Sequence, residues 1–171
     1  MPDASPTGPS KSGPPPSGPL PTRPGLPDGY DVTTDPERIG AARAHALLAA
    51  HAYWAEGRTL DVHRGAMAGS RSYGVVTAAG DLAAYARLVT DGATFGWLAD
   101  VIVDPAHRGH GLGRAVVGRA LADVEALGLK RVLLRASDEG RPIYERVGFR
   151  AVPEPDSWLE LRASTPATSS A

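Results

Sequence analysis

Cysteine is absent from the 171 residues of this chain. That excludes disulfides, thiolate metal sites and a covalent thioester to the protein, and it agrees with a cytoplasmic location. Long apolar runs are missing too: no stretch approaches the roughly 18 residues that a membrane span needs, and the N-terminus carries no apolar signal-peptide core. The expectation is a soluble, cytoplasmic protein with no membrane partner. Charge of one sign is also lacking, with 18 basic against 19 acidic residues and a formal net charge of −1. No global field then favours nucleic acid, so any anion recognised here is bound locally.

Proline, by contrast, is plentiful and unevenly spread. Ten of the sixteen prolines fall within residues 1–29, among Ser and Gly and almost no large apolar residue. Such a segment cannot bury enough surface to offset its ordering entropy, so residues 1–28 read as a disordered tail, and 163–171 read the same way. The remainder, 29–162, is a common size for one domain, and 42% hydrophobic composition over the chain suffices for a core.

Within that domain the periodicities alternate in type. Tyr30 to Thr34 reads as a strand, and "DPERIGAARAHALLAAHAYW" as a helix with Asp35 at its N-cap and Pro36 at its first position. Leu60 to Met67 suggests a second helix. Three strands follow in "SYGVVTAAGDLAAYARLVTDGATFGWLADVIV", with Gly80-Asp81 and Asp91-Gly92 placed for hairpin turns. From Gly111 to Leu127 apolar residues recur at steps of three or four, and Gly128 is placed to stop a helix. "RVLLRA" reads as a buried strand, "PIYERVG" as a short helix, and "FRAV" and "SWLEL" as two last strands. The order predicts a mixed α/β sheet.

The stretch "DPAHRGHGLGR" joins the strand ending at Val103 to the helix that starts near Gly111. The first turn of a helix has unpaired N–H groups and the positive end of the helix dipole, a setting that binds phosphate. Glycines at 109, 111 and 113 remove Cβ atoms that would hold an anion away, and Arg108 and Arg114 add charge beside them. The plainer alternative is a tight connection that uses glycine for its turn dihedrals. A P-loop is excluded because no Gly-Lys-Ser/Thr follows, and the dinucleotide pattern fails because Val116 stands where its third glycine belongs. His107 and His110 lack a third ligand at any metal spacing, so no metal is expected; His107 reads as solvent-facing.

Arg108, Gly111 and Gly113 fill the Arg/Gln-x-x-Gly-x-Gly/Ala pattern, and "IYERVGF" follows at a matching separation. In both respects the chain resembles the GNAT superfamily of N-acetyltransferases, over roughly residues 30–152. "YWAEGR" and "ARLVTDGATFGWLADV" further resemble a small bacterial subgroup whose acceptors are unassigned. The resemblance implies an α/β (α+β) fold with a mostly antiparallel central sheet flanked by helices, in which a splayed pair of parallel strands holds acetyl-CoA. It implies that the backbone of Val101, Ile102 and Val103 pairs with the pantetheine arm, the Val101 N–H serving the acyl oxygen where negative charge develops. The pyrophosphate would lie over Arg108, Gly109, His110, Gly111, Leu112, Gly113 and Arg114. Tyr144 matches the family tyrosine that donates a proton to the departing sulfur; the alternative is a core tyrosine packing a short helix.

The base that takes the amine's proton is left open. Strict alternation from Val101 and Val103 puts Trp97 and Ala99 on the reacting face, and neither accepts a proton. Asp100 reaches it only if a bulge shifts the phase; otherwise it is a structural acid that must be paired if buried. His51, Glu56, His63 and Asp91 are alternatives, and a water chain needs no side chain. Trp54 either stacks on an acceptor or packs in the core. Where many family members carry Asn before the tyrosine helix, this chain has "RASDEGRP", with Ser137 or Asp138 as a substitute cap. The expected activity is transfer of an acetyl group from acetyl-CoA to a primary amine by direct attack in a ternary complex. A small-molecule amine is favoured because no acidic stretch suggests a groove for a basic peptide. A homodimer is compatible, dimers being frequent in the family. An acyl-CoA sensor without turnover, or an adaptor acting through the proline-rich tail, are the competing readings.

Overall fold

The computed structural model describes residues 25–162. The tail expected over 163–171, and most of that expected over 1–28, lie outside the described residues. Ahead of the expected domain start at Gly29, Leu26 already packs against the core.

Five strands form one sheet in sequence order: β1 (Tyr30–Thr33), β2 (Arg71–Thr77), β3 (Leu82–Thr90), β4 (Phe95–Val103) and β5 (Arg131–Leu133). The first four are antiparallel neighbours; β5 lies parallel to β4. Both expected hairpins are present. In the second, the Asp91 carboxylate accepts hydrogen bonds from the amides of Ala93, Thr94 and Phe95 and from the Thr94 hydroxyl, which fixes the turn into β4.

The helix expected from Asp35 onward is two helices, α1 (Pro36–Ile39) and α2 (Ala41–His51), and the chain then turns once in 3-10 form at Tyr53–Ala55. Asp35 caps α1 as expected, its carboxylate accepting from the Glu37 amide at 2.9 Å. Gly40, at φ +69°, makes the break. Arg43 holds the corner: its guanidinium donates to the carbonyls of Glu37, Arg38 and Ile39, and across to Gly80 in the β2–β3 turn. A helix α3 (Leu60–Ala68) follows, capped by Thr59.

Helix α4 (Leu112–Ala126) and the short α5 (Arg141–Arg146) complete the regular structure. Neither "FRAV" nor "SWLEL" is a strand. Pro153 and Pro155 remove amide donors and fix φ just where a ladder would have to start. Trp158 instead lies against the Arg131 guanidinium, 4.6 Å from its ring centre, and Leu159 and Leu161 are exposed. "RVLLRA" pairs only over its first three residues, because β5 leaves β4 after Leu133.

The sheet separates two apolar clusters. One joins α4 and α5 to residues such as Tyr73, Ala84, Leu88 and Leu98; the other joins α1 and α2 to Val76, Leu82, Tyr85 and Ile102. The Tyr73 hydroxyl crosses the first cluster to donate to Asp123 of α4 at 3.0 Å. Burial and the adjacent Asp123 carboxylate keep that phenol protonated.

Candidate functional site

Beside β5, β4 is paired only at Phe95, Gly96 and Trp97. Among the described residues no strand pairs with it on that side from Leu98 to Val103, so the two parallel strands splay and a cleft of about 840 Å³ opens at the divergence. Its walls come from the second half of β4, the loop into α4, the segment from β5 into α5, and the connection between α2 and α3. Open sheets place ligands where strand ends diverge, and the topology alone predicts a site here.

The phase of β4 changes inside the cleft. Arg87 faces Ala99 while Tyr85 faces Ile102, so Ala86 opposes two residues, a β-bulge. Asp100 takes the strain at φ +53°, a conformation Asp adopts more readily than most side chains. The bulge corrects the face assignment made from strict alternation. Leu98, not Trp97 or Ala99, packs in the same cluster as Val101 and Val103, and Ile102 packs in the other.

Asp100 is 7% exposed and fully engaged. Arg58 donates to both its oxygens, at 2.6 and 3.2 Å, and the Arg87 Nε donates to one at 2.5 Å. Burial pushes the carboxyl up, but these hydrogen bonds and charges outweigh it and hold Asp100 below the usual carboxylate range. Neither arginine emerged from the sequence reading, although a signal existed. Arg87 interrupts the apolar "LAAYARLVT" as Asp100 interrupts "GWLADVIV", and the hairpin between them brings the two interruptions together. The Arg58 carbonyl is fixed in turn by the His45 Nε2 at 2.7 Å.

Of the other candidate bases, only His51 lines the cleft. Asp91 is consumed by its turn. His63 is fully buried beneath the site, with both ring nitrogens unpartnered among the described residues and its ring 5.8 Å from Tyr85 and 5.9 Å from His45. Burial, aided by the Arg58 charge, lowers its pKa and keeps the imidazole neutral.

The loop into α4 begins with a 3-10 turn, Pro105–His107, capped by Asp104. His107 is not solvent-facing: its Nδ1 lies 2.8 Å from the Tyr30 hydroxyl, which ties the loop to β1. Gly109 and Gly111 have φ of +81° and +75°, so the turn-dihedral argument applies to both. Nothing lies within 4 Å of where a Cβ would stand on Gly109, and only the Arg114 guanidinium approaches that of Gly111. The glycines thus leave the cleft side of the loop bare. Gly113 serves packing instead, since a Cβ there would sit 3.3 Å from Ile143 and 3.4 Å from Val103. The first helical bond of α4 runs from the Ala115 amide to the Gly111 carbonyl. The amides of Leu112, Gly113 and Arg114 precede it and are the donors a phosphate would meet. Arg108 pairs loosely with Glu139 across the cleft, at 3.6 Å.

Tyr144 projects from α5 into the same cleft, packed edge-on against Phe149 with ring centres 6.0 Å apart. Its hydroxyl makes no hydrogen bond among the described residues, and burial pushes its pKa up to about 12. The phenol is therefore protonated at neutral pH. Neither Ser137 nor Asp138 caps this helix, whose N-cap is Gly140 with no side-chain hydrogen bond; the Ser137 hydroxyl accepts from the Gly140 amide at 3.2 Å in the turn ahead of it.

Comparison with known proteins gives this arrangement a family. The Acetyltransferase (GNAT) family model matches residues 41–149. A GNAT-family protein of Xanthomonas campestris pv. campestris superposes with a TM-score of 0.73 at 32% identity, over 81% of this chain and 96% of that one. Two curated relatives match over shorter stretches. A glucosamine 6-phosphate N-acetyltransferase of Trypanosoma brucei brucei is 37% identical over 65 residues, 38% of this chain and 44% of that protein. Serotonin N-acetyltransferase 2 of Oryza sativa subsp. japonica is 36% identical over 78 residues, 46% of this chain and 39% of that protein. The chain thus spans less than half the length of these two relatives. The structural match runs almost end to end through the other protein, and the family match takes in the splayed strands, the glycine loop and Tyr144; this chain belongs to the GNAT acetyltransferase family.

Proposed function

We propose that the chain is an acetyl-CoA-dependent N-acetyltransferase that acetylates a small-molecule primary amine by direct attack in a ternary complex. The observation that carries this reading is the coincidence, in one cleft, of an unpaired strand edge, a bare glycine loop at a helix N-terminus and a protonated tyrosine. The named activities of the two curated relatives, on glucosamine 6-phosphate and on serotonin, support an amine of low molecular mass.

The residues fit acetyl-CoA. The unpaired edge of β4 at Val101, Ile102 and Val103 offers backbone donors and acceptors to an extended amide-bearing arm. The loop from Arg108 through Gly109, Gly111, Leu112 and Gly113 to Arg114 lines the cleft and offers amides and two guanidinium groups to a pyrophosphate, whereas His110, expected to join them, is not among the lining residues and has its Nδ1 3.0 Å from the Arg108 carbonyl. When bound, acetyl-CoA supplies an acyl group activated as a thioester. The Val101 N–H stabilises negative charge on the acyl oxygen, and Tyr144 delivers its phenolic proton to the sulfur that leaves.

Asp100 takes another part than that of the base. A carboxylate locked by two guanidinium groups has little affinity for a proton, so Asp100 positions Arg58 and Arg87. Two arginines against one carboxylate leave positive charge at the base of the acceptor wall. That field disfavours the ammonium form of an amine bound beside it, so the attacking nitrogen is delivered as the free base. Its proton then leaves through the open cleft.

Isothermal titration tests the reading. Micromolar binding of acetyl-CoA, weaker binding of dephospho-CoA, and loss of binding in Gly111→Glu are expected. Absence of acetyl-CoA binding by the unaltered chain overturns it.

A further inference from the structure

The acceptor end of the cleft holds more positive charge than its fold requires. Asp100 is satisfied by three N–H donors, two from Arg58 and one from Arg87. The remaining donors, Arg87 Nη1 and Nη2 and Arg58 Nε, bond no group among the described residues. Both side chains are mostly withdrawn from solvent, at 15% and 17% exposure, yet both line the cleft. Only one other carboxylate lines it, Glu139, and that one stands beside Arg108.

These donors are open to the cleft, since among the described residues only the His63 nitrogens are buried without a partner, and the planar fork of a guanidinium matches the two oxygens of a carboxylate or phosphate. The surplus charge also repels a simple ammonium ion. An acceptor that brings its own negative charge offsets that repulsion and fills the fork.

We infer that the acceptor is a primary amine that also carries an anionic group, carboxylate or phosphate, bound by the donors of Arg87 and Arg58 that Asp100 leaves over. The inference rests on the acetyl-transfer reading above. The body of the acceptor lies against Tyr53, Trp54 and Trp97, three exposed aromatic side chains that line the cleft. These supply flat apolar faces while the arginines supply the anion anchor.

Matched amines test this in the full-length chain, with thiol release from acetyl-CoA as the readout. Tryptophan against tryptamine offers a carboxylate, and glucosamine 6-phosphate against glucosamine offers a phosphate. In at least one pair kcat/KM is expected to be roughly 10- to 100-fold higher for the anionic member, the range of a charged hydrogen-bonded contact. The pair that shows the preference identifies which anion is read. Arg87→Gln is expected to bring that ratio close to one while acetyl-CoA is still bound. If Arg87→Gln does not fold, Arg87→Lys, which keeps the charge facing Asp100 and loses the fork, is expected to cut the ratio at least threefold. Parity in both pairs, or a ratio that Arg87 substitutions leave unchanged, overturns the inference while acetyl-CoA binding keeps the transferase reading standing. Failure to bind acetyl-CoA overturns both.

Discussion

Asp100 and Tyr144 are two titratable side chains of one cleft whose surroundings drive them in opposite directions. Burial acts on both, but Asp100 has two cationic partners and Tyr144 has none, so one is held ionised and the other neutral. Because the folded-state pKa of Asp100 is depressed, its ionic contribution to stability is fully present above the ordinary Asp value of about 3.9 and is lost as pH falls through the lower folded value. Asp100→Asn should cost about 3 kcal/mol in urea unfolding at pH 7, as removal of one partner from a buried ion network does. The gap from the unaltered chain should persist at pH 5 and narrow below about pH 4; a gap already closed at pH 5 would contradict the depressed value. Tyr144→Phe should lower turnover about 100-fold while acetyl-CoA affinity stays within twofold, since the hydroxyl bonds no protein group. Unchanged turnover would assign Tyr144 to packing alone. That Tyr144 and most of the glycine loop meet in one cleft was foreshadowed by the motifs through which the chain resembles the GNAT family. The fate of Asp100 was not, because it depends on a bulge and on an arginine 42 positions earlier in the chain, which only the fold brings within 2.6 Å.

At the scale of elements, local chemistry marked the ends better than the interiors. Asp35, Gly80, Asp91 and Gly111 all stand where caps or turns were expected, since their chemistry acts within a few residues. The break at Gly40 was missed, because one helix was expected to run through it and nothing local says that Arg43 will hold both the corner and a distant turn. The C-terminal strands failed for the opposite reason: alternation in "SWLEL" is genuine, yet a strand exists only if a neighbour offers a ladder, and β5 is three residues long. Helix α4 meets β4 and α5 at Gly113, and there a side chain has almost no room. Gly113→Val should therefore cost about 2 kcal/mol by overpacking and weaken acetyl-CoA binding, because Val103 and Ile143 line the cleft they would be pushed into. Gly113→Ala should do much less on both counts, as measured by urea unfolding and titration.

On the scale of the whole molecule, the two walls of the cleft rest on different foundations. Helix α4, from Leu112 onward, and Tyr144 belong to the cluster that contains Val116 and Leu121, and the α1–α2 side belongs to the cluster around Leu48 and Tyr85. Leu48→Ala, a cavity made in the second cluster, should lower stability by roughly 2–5 kcal/mol and leave the Kd for acetyl-CoA within about twofold. A Kd that rises with the loss of stability would show the two halves to be one mechanical unit. Strands β2, β3 and β4 each carry residues of both clusters, and β4 does so inside the cleft, facing one with Leu98, Val101 and Val103 and the other with Ile102. Such a division has a consequence for change by mutation: on the function proposed above, substitutions confined to α1, α2 and α3 alter one side of the cleft while the cluster beneath α4 and Tyr144 keeps its packing.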